Sequence, residues 1–241
     1  MPDPLLILTA TAYEQQRLRD SLQQATTQRR GHRVWVRGMI GIKPVVLIET
    51  GIGAVNTAQA LTVALQEINP ELVLQIGIGG AYLGKDLNVG DLALATEENY
   101  GDLGVITPAG WSPADEIGIP VLSVDRDYYN TYPFDPALVA RAQHILEQSG
   151  ECVVQGPFVT VQQCTGRKDI GNELAARFNA ICENMEGAAT AHVCTLYAVP
   201  FLELRAISNR VEDRNKDAWD IPRAVQRVQI AARKFVEIGK M

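Results

Sequence analysis

Residues 72–81 read Leu72-Val73-Leu74-Gln75-Ile76-Gly77-Ile78-Gly79-Gly80-Ala81, an apolar run that breaks into glycine. Apolar residues at consecutive rather than alternate positions are what a strand covered on both faces requires. The reading is a buried strand over 72–77, closed by a glycine turn over 77–81. The same pattern recurs on either side, at Leu5–Thr9, Val45–Thr50, Asp91–Thr96, Val153–Thr160 and Phe201–Ser208, each run ending in Thr or Ser. Between the runs lie stretches with a helical period: Leu61, Ala64, Leu65 and Ile68 make one stripe, and Ile221, Ala224, Val225, Val228, Ala232, Phe235 and Ile238 make another. This alternation predicts one α/β domain over residues 1–241, a three-layer α/β/α arrangement around a central mixed β-sheet. His32–Ile40 and Val45–Thr50 flank Gly41-Ile42-Lys43-Pro44, where Gly and Pro mark the turn of a hairpin. Asn99 to Pro136, rich in Gly, Pro, acidic residues and aromatics, has neither period and reads as one long functional loop.

The chain has 241 residues, 46% of them hydrophobic and 21% charged. That composition excludes disordered, coiled-coil and collagen-like architectures. A net charge of −6 without a basic cluster argues against a nucleic-acid partner. Cys152, Cys164, Cys182 and Cys194 contain no C-x-x-C pair, and His32, His144 and His192 do not join them at zinc-ligand spacing, so no metal site is expected. The four thiols read as reduced. Met1-Pro2-Asp3-Pro4 lacks a basic leader, and no apolar run reaches the ~18–20 residues of a membrane span, so the expected location is the cytoplasm, with no membrane partner.

Chemistry is expected at the strand ends. Gly51-Ile52-Gly53 and Gly77-Ile78-Gly79-Gly80 each read as a tight turn or as backbone that lets a ligand approach closely. Glu186 falls between a buried strand and a buried helix, where a carboxylate is either functional or interacts with the helix dipole. Glu203 and Arg205, two apart on one strand face, read as a structural ion pair. His192 reads as a core histidine, and Cys164 lacks the basic partner a nucleophile needs.

Glu183-Asn184-Met185-Glu186-Gly187-Ala188-Ala189, with Val199-Pro200-Phe201 and Arg205-Ala206-Ile207-Ser208-Asn209, Glu14 after the first strand and the two glycine segments, resemble the purine nucleoside phosphorylase and nucleosidase superfamily. Within it the sequence is most similar to the methylthioadenosine/S-adenosylhomocysteine nucleosidase branch, and there to the futalosine hydrolases. The resemblance spans nearly the whole chain. It implies a nucleoside phosphorylase-like fold, hydrolysis of an N-ribosidic bond without metal or organic cofactor, a small-molecule nucleoside substrate and a homo-oligomer of two or more chains. By family position Glu14 activates the attacking water, Glu186 accepts hydrogen bonds from the ribose hydroxyls, Met185 packs against the sugar and Asn209 sits at the N7 edge of the base. Ile52, Gly79, Cys164, Thr165 and Trp219 complete the substrate-binding set.

The departures from that family carry information. Adenosine-type nucleosidases have aspartate where Asn209 stands, whereas an asparagine amide can donate to O6 while its carbonyl accepts from N7–H, which argues for hypoxanthine. The arginines by which phosphorylases hold phosphate are replaced by Thr9-Ala10-Thr11-Ala12-Tyr13-Glu14 and Ala81-Tyr82-Leu83, so water is the expected nucleophile. Cys164 replaces a base-stacking aromatic. Trp219 is either a lid over the substrate or a hydrophobic cap on the last helix. The loop Asn99–Pro136 is expected to enclose the benzoate-ended tail of futalosine, with Arg210 or Arg214 pairing its carboxylate. The competing readings are a nucleosidase for methylthioadenosine, S-adenosylhomocysteine or aminofutalosine, and a non-catalytic nucleoside-binding protein.

Overall fold

A computed structural model of the chain describes residues 3–239. In chain order its strands are β1 (Leu5–Thr9), β2 (Gln23–Arg30), β3 (Arg33–Ile40), β4 (Lys43–Glu49), β5 (Leu72–Ala81), β6 (Leu92–Tyr100), β7 (Gly104–Thr107), β8 (Gly110–Pro113), β9 (Leu122–Ser123), β10 (Asp127–Tyr128), β11 (Thr131–Pro133), β12 (Val153–Thr160), β13 (Cys182–Asn184) and β14 (Phe201–Arg210). The helices are α1 (Gln16–Ser21), α2 (Ala54–Glu67), α3 (Pro136–Gln148), α4 (Lys168–Arg177), α5 (Gly187–Tyr197) and α6 (Ile221–Ile238). The main sheet is mixed and runs β11-β6-β12-β13-β5-β1-β4-β3-β2, with β14 inserted parallel to β5 and antiparallel to β6. Because β6 pairs with β12, β12 with β13 and β13 with β5, the strands β5, β14, β6, β12 and β13 close into a ring. Helix α2 packs on α5, and α6 packs on α1 and α3 as well as on β14 and β5. Among the described residues no helix is long and apolar enough to cross a membrane.

The apolar runs bury as their pattern requires: Leu5, Leu6, Ile7 and Leu8 are fully enclosed. Asp220 caps α6 by accepting from the Arg223 N–H, and the helix buries Ala224, Val225, Val228, Ala232 and Phe235, while Ile238 at its end is exposed. The hairpin β3–β4 turns on Gly41 and Ile42.

Two expectations need correction. Residues 77–81 are not a turn: β5 continues through Gly77, Gly79 and Gly80 to Ala81, held by pairing with β14 and β13. The loop over 99–136 is shorter than it reads. Strand β6 runs to Tyr100, β11 pairs with it, and β7–β8 and β9–β10 form two ribbons whose strands of two to four residues are too short to display a period. Asn130 ties this region together, donating to the carbonyls of Tyr100 and Leu103 and accepting from the Ala114 N–H. Strand β2, polar and mostly exposed, had no apolar signal to read and lies on the edge of the sheet, where charges such as Arg29 and Arg30 discourage further pairing.

Candidate active site

At the carboxyl ends of the parallel strands β1, β4, β5 and β14 lies a cavity of about 390 Å³. Such strand ends are where open α/β folds collect ligand-contacting groups. Its walls bring together Glu14, Ile52, Gly79, Cys164, Thr165, Met185, Glu186, Asn209 and Trp219, residues drawn from opposite ends of the chain.

Glu14 closes the single turn Ala12–Glu14 that follows β1. Its Oε2 accepts from Thr11 N–H at 3.0 Å and from Thr11 Oγ1 at 2.9 Å, a capping box spelled Thr11-Ala12-Tyr13-Glu14 in the sequence. The other oxygen, Oε1, reaches across to accept from the Ile78 N–H at 3.1 Å. Burial pushes this carboxyl above the ordinary glutamate range, against the pull of Arg205 and of the donors from Ile78 and Thr11. The result is a base of increased strength on the cavity wall.

Glu186 starts α5 but does not cap it with its side chain. Asn184 Oδ1 does so instead, accepting from the N–H groups of Glu186 at 2.9 Å and Gly187 at 2.7 Å. The Glu186 carboxylate is thereby free to accept from Gly53 N–H at 3.0 Å, at the amino end of α2, and from Arg205 Nη1 at 3.2 Å. Gly53 has φ +90°, a left-handed conformation that a side chain would strain, and this aims its N–H at the carboxylate.

Arg205 pairs with Glu203 at 2.7 Å as its spacing suggests, but it is more than a structural partner, because it also holds Glu186 and lines the cavity. Burial works against its charge, and the carboxylates of Glu203, Glu186 and Glu14 outweigh that and raise its pKa. Behind it, the buried carboxyls of Glu203 and Glu98 converge on Gly187. Burial pushes the Glu203 carboxyl up as well, and the Arg205 guanidinium holds it back. Burial and the neighbouring Glu203 charge push the Glu98 carboxyl well up, so Glu98 carries the proton of the pair. Asn184 Nδ2 donates to Glu98, which anchors the turn that presents Glu186.

The glycines of β5 make these approaches possible. A Cβ on Gly77 would sit 2.6 Å from Arg205 Nη1 and 2.8 Å from Glu14 Oε1. Gly77→Ala is therefore expected to lower kcat by about 100-fold, the scale of an ångström-sized misplacement of catalytic groups, with the melting transition retained. Steady-state rates alongside a thermal melt check this, and a variant with wild-type kcat would show that the glycine serves only the strand.

Asn209 is aimed by a bulge. The pairing of β14 with β5 slips at Ser208, so that Ile207 faces Gly79 and Asn209 faces Gly80. Ser208 Oγ donates to Asn209 Oδ1 at 2.8 Å and fixes the amide. Cys164 lies 3.3 Å from Met185 Sδ, and burial together with Glu183 pushes its thiol up, away from nucleophilic duty. Trp219 borders the cavity and directly precedes Asp220, the cap of α6. His192 is half-buried, stacked on Tyr132 and within hydrogen-bonding distance of Tyr100. Arg210 donates to Asn88 and Arg214 lies over the Trp219 ring, and neither borders this cavity or its larger neighbour. Arg205 and Glu183 are cavity residues that the sequence did not announce. Only the Glu203-x-Arg205 spacing hinted at the first.

A family model described as the phosphorylase superfamily matches residues 4–238. The chain belongs to the phosphorylase superfamily. This member of the superfamily is 35% identical over 192 residues to futalosine hydrolase from Thermus thermophilus, covering 79% of this chain and 80% of that protein. It is 34% identical over 209 residues to the 5'-methylthioadenosine/S-adenosylhomocysteine nucleosidase of Actinobacillus succinogenes, covering 84% of each. In fold it is similar to the 5'-methylthioadenosine/S-adenosylhomocysteine nucleosidase of Neisseria meningitidis, with a TM-score of 0.85 at 24% identity over 98% of this chain and 99% of that one. Its activity is that of a nucleosidase, an N-glycosyl hydrolase, which sets aside a purely binding role.

Proposed function

We propose that the chain hydrolyses the N-ribosidic bond of futalosine, releasing hypoxanthine and dehypoxanthinyl futalosine. The observation that carries this is Asn209, an amide rather than an acid, held by Ser208 at the end of β14 and bordering the same cavity as Glu14 and Glu186. Its Nδ2 donates to O6 of a 6-oxopurine, and its Oδ1 accepts from the N7–H that forms as the base departs. An amide is no acid, so N7 takes its proton from solvent water, and Glu14 releases to solvent the proton it has taken from the attacking water.

In the reaction, Glu14 takes a proton from water as the oxygen bonds to C1′. The C1′–N9 bond breaks with its electron pair going to the purine, through a sugar with oxocarbenium character. Glu186 accepts from the ribose hydroxyls and sets a negative charge beside that developing cation. Met185 packs on the sugar, and Ile52, Gly79, Cys164, Thr165 and Trp219 bound the base and the 5′ side. Water rather than phosphate as nucleophile is supported by Arg205, the arginine of the cavity, whose charge is committed to Glu186 and Glu203.

A second cavity of about 1060 Å³ meets the first at Cys164 and Thr165 and is bordered by Gly101 to Gly104 and Trp111. Asp102 is tied to that junction by accepting from the Gln162 N–H at 2.7 Å. This is the space we assign to the 5′ tail. Its cations are Arg167 and Arg177 rather than Arg210 or Arg214. Val55 and Ile106 beside it are 82% and 87% exposed, which supports a homo-oligomer of two or more chains; a location in the cytoplasm is part of the same proposal.

The test is base release from futalosine, aminofutalosine, inosine and methylthioadenosine, with and without phosphate. Phosphate-independent release of hypoxanthine from futalosine is expected. Release of adenine instead overturns the substrate and favours the methylthioadenosine reading, to which the relative at 34% identity lends weight. Asn209→Asp is expected to raise the ratio of 6-aminopurine to 6-oxopurine turnover by about tenfold or more, since a mismatched buried edge leaves polar groups unpaired. An unmoved ratio removes Asn209 from base choice.

A further inference from the structure

Glu183 is a buried acid on the cavity wall that the mechanism above does not use; it is 7% exposed. Thr165 N–H donates to its Oε1 at 2.9 Å, Thr165 Oγ1 donates to its Oε2, and Tyr82 OH donates to Oε2 at 3.3 Å. Burial pushes this carboxyl up, and the donors from Thr165 and Tyr82 hold it back. A carboxylate has about four acceptor positions, so these three donors leave one open. They also consume the Thr165 backbone N–H, so at this point the wall offers the Glu183 acceptor in place of that donor.

The register fixes what stands opposite. Glu183 pairs with Gly80 from one side of β5, and Asn209 pairs with the same Gly80 from the other. The two backbones are therefore two strand spacings apart, roughly 9–10 Å, with the side-chain-free Gly79 and Gly80 between them. A purine lying over those glycines meets Asn209 with one end of its polar edge and Glu183 with the other. Along that edge a 6-oxopurine presents acceptor, acceptor and donor at N7, O6 and N1–H. A 6-aminopurine presents acceptor, donor and acceptor.

We propose that Glu183 is a second base-reading residue, whose carboxylate accepts a hydrogen bond from N1–H of a 6-oxopurine bound between it and Asn209. This rests on the 6-oxopurine reading of the site. The carboxylate faces the lone pair of N1 in a 6-aminopurine, so the residue both attracts one class of base and repels the other.

The experiment compares wild type with Glu183→Gln, which keeps the bond from the Thr165 N–H but removes the negative charge that faces N1. Inhibition by hypoxanthine, 1-methylhypoxanthine and adenine is measured for both, with turnover of inosine-type and adenosine-type nucleosides. Wild type is expected to bind hypoxanthine on the order of tenfold or more tighter than its 1-methyl derivative. In E183Q that gap is expected to close and the preference to move toward adenine by a similar factor. A well-folded E183Q that keeps the wild-type ranking while 6-oxopurine turnover persists overturns the role of Glu183 and leaves the substrate intact. A wild type that cannot tell hypoxanthine from 1-methylhypoxanthine overturns it as well. A wild type that releases only adenine sinks the substrate reading and this assignment together.

Discussion

Glu186→Gln lowers kcat/KM by about a thousandfold, with both kcat and KM affected. The isosteric amide still accepts from the Gly53 N–H, so the packing of the turn survives and the loss is one of charge. That charge has two tasks. Toward the substrate it stands beside the sugar as positive character builds, where a preorganised anion in a dry site has its largest effect. Toward the protein it balances Arg205, fully buried and otherwise left to Glu203 and Glu14. Breaking a buried pair costs about 3–5 kcal/mol of folding stability, while the expected loss in rate is about 4 kcal/mol of transition-state stabilisation, at ~1.4 kcal/mol for each factor of ten. Steady-state kinetics with a circular dichroism control measure the effect. A folded E186Q variant within tenfold of wild type removes Glu186 from the ribose.

Glu14→Gln separates chemistry from binding. It is expected to reduce kcat by about 10²–10⁴-fold, the contribution of a positioned general base, and to leave KM close to wild type because the groups facing the base are untouched. The wild-type pH profile carries the same information. Burial disfavours the charged carboxylate, so the active, ionised form is reached only above the ordinary glutamate pKa of about 4.3. Activity therefore falls on the acid side, as pH drops through that raised value. In E14Q this acid limb is lost while the residual rate persists. An unchanged limb assigns the titration to another group, and an unchanged kcat removes the base.

The strands were legible because burial on both faces writes itself as consecutive apolar residues. Leu5–Thr9 and Val153–Thr160 need no tertiary information to be found. The β5 glycines misled because glycine after an apolar run usually ends a strand, whereas here it clears space for Arg205 and Glu14, groups 128 and 63 positions away that no local pattern can reveal. Glu14 is a similar case: Thr11-x-x-Glu14 is a complete capping box on its own, and only the bond of its second oxygen to Ile78 marks it as part of a cavity. The aim of Asn209 depends on a one-residue slip at Ser208, set by two neighbouring strands rather than by its own sequence. Glu183 was passed over because a buried acid beside a motif has no signature until its partners Thr165 and Tyr82 come within reach.

The strand that completes the ring, β14, is the last to be synthesised, and it joins β5 to β6 across more than a hundred residues of intervening chain. Pairings of such long sequence separation form late and slowly, since loop-closure entropy must be overcome before their contacts are made. The same strand carries Arg205, Ser208 and Asn209, while its partner β5 carries the glycines they approach. The pairing that seals the sheet is thus also the one that brings these residues to the cavity. A nascent or C-terminally shortened chain lacks Arg205, Ser208 and Asn209 whatever its first half has formed, and recovery of turnover after denaturation is expected to report the closing of the ring.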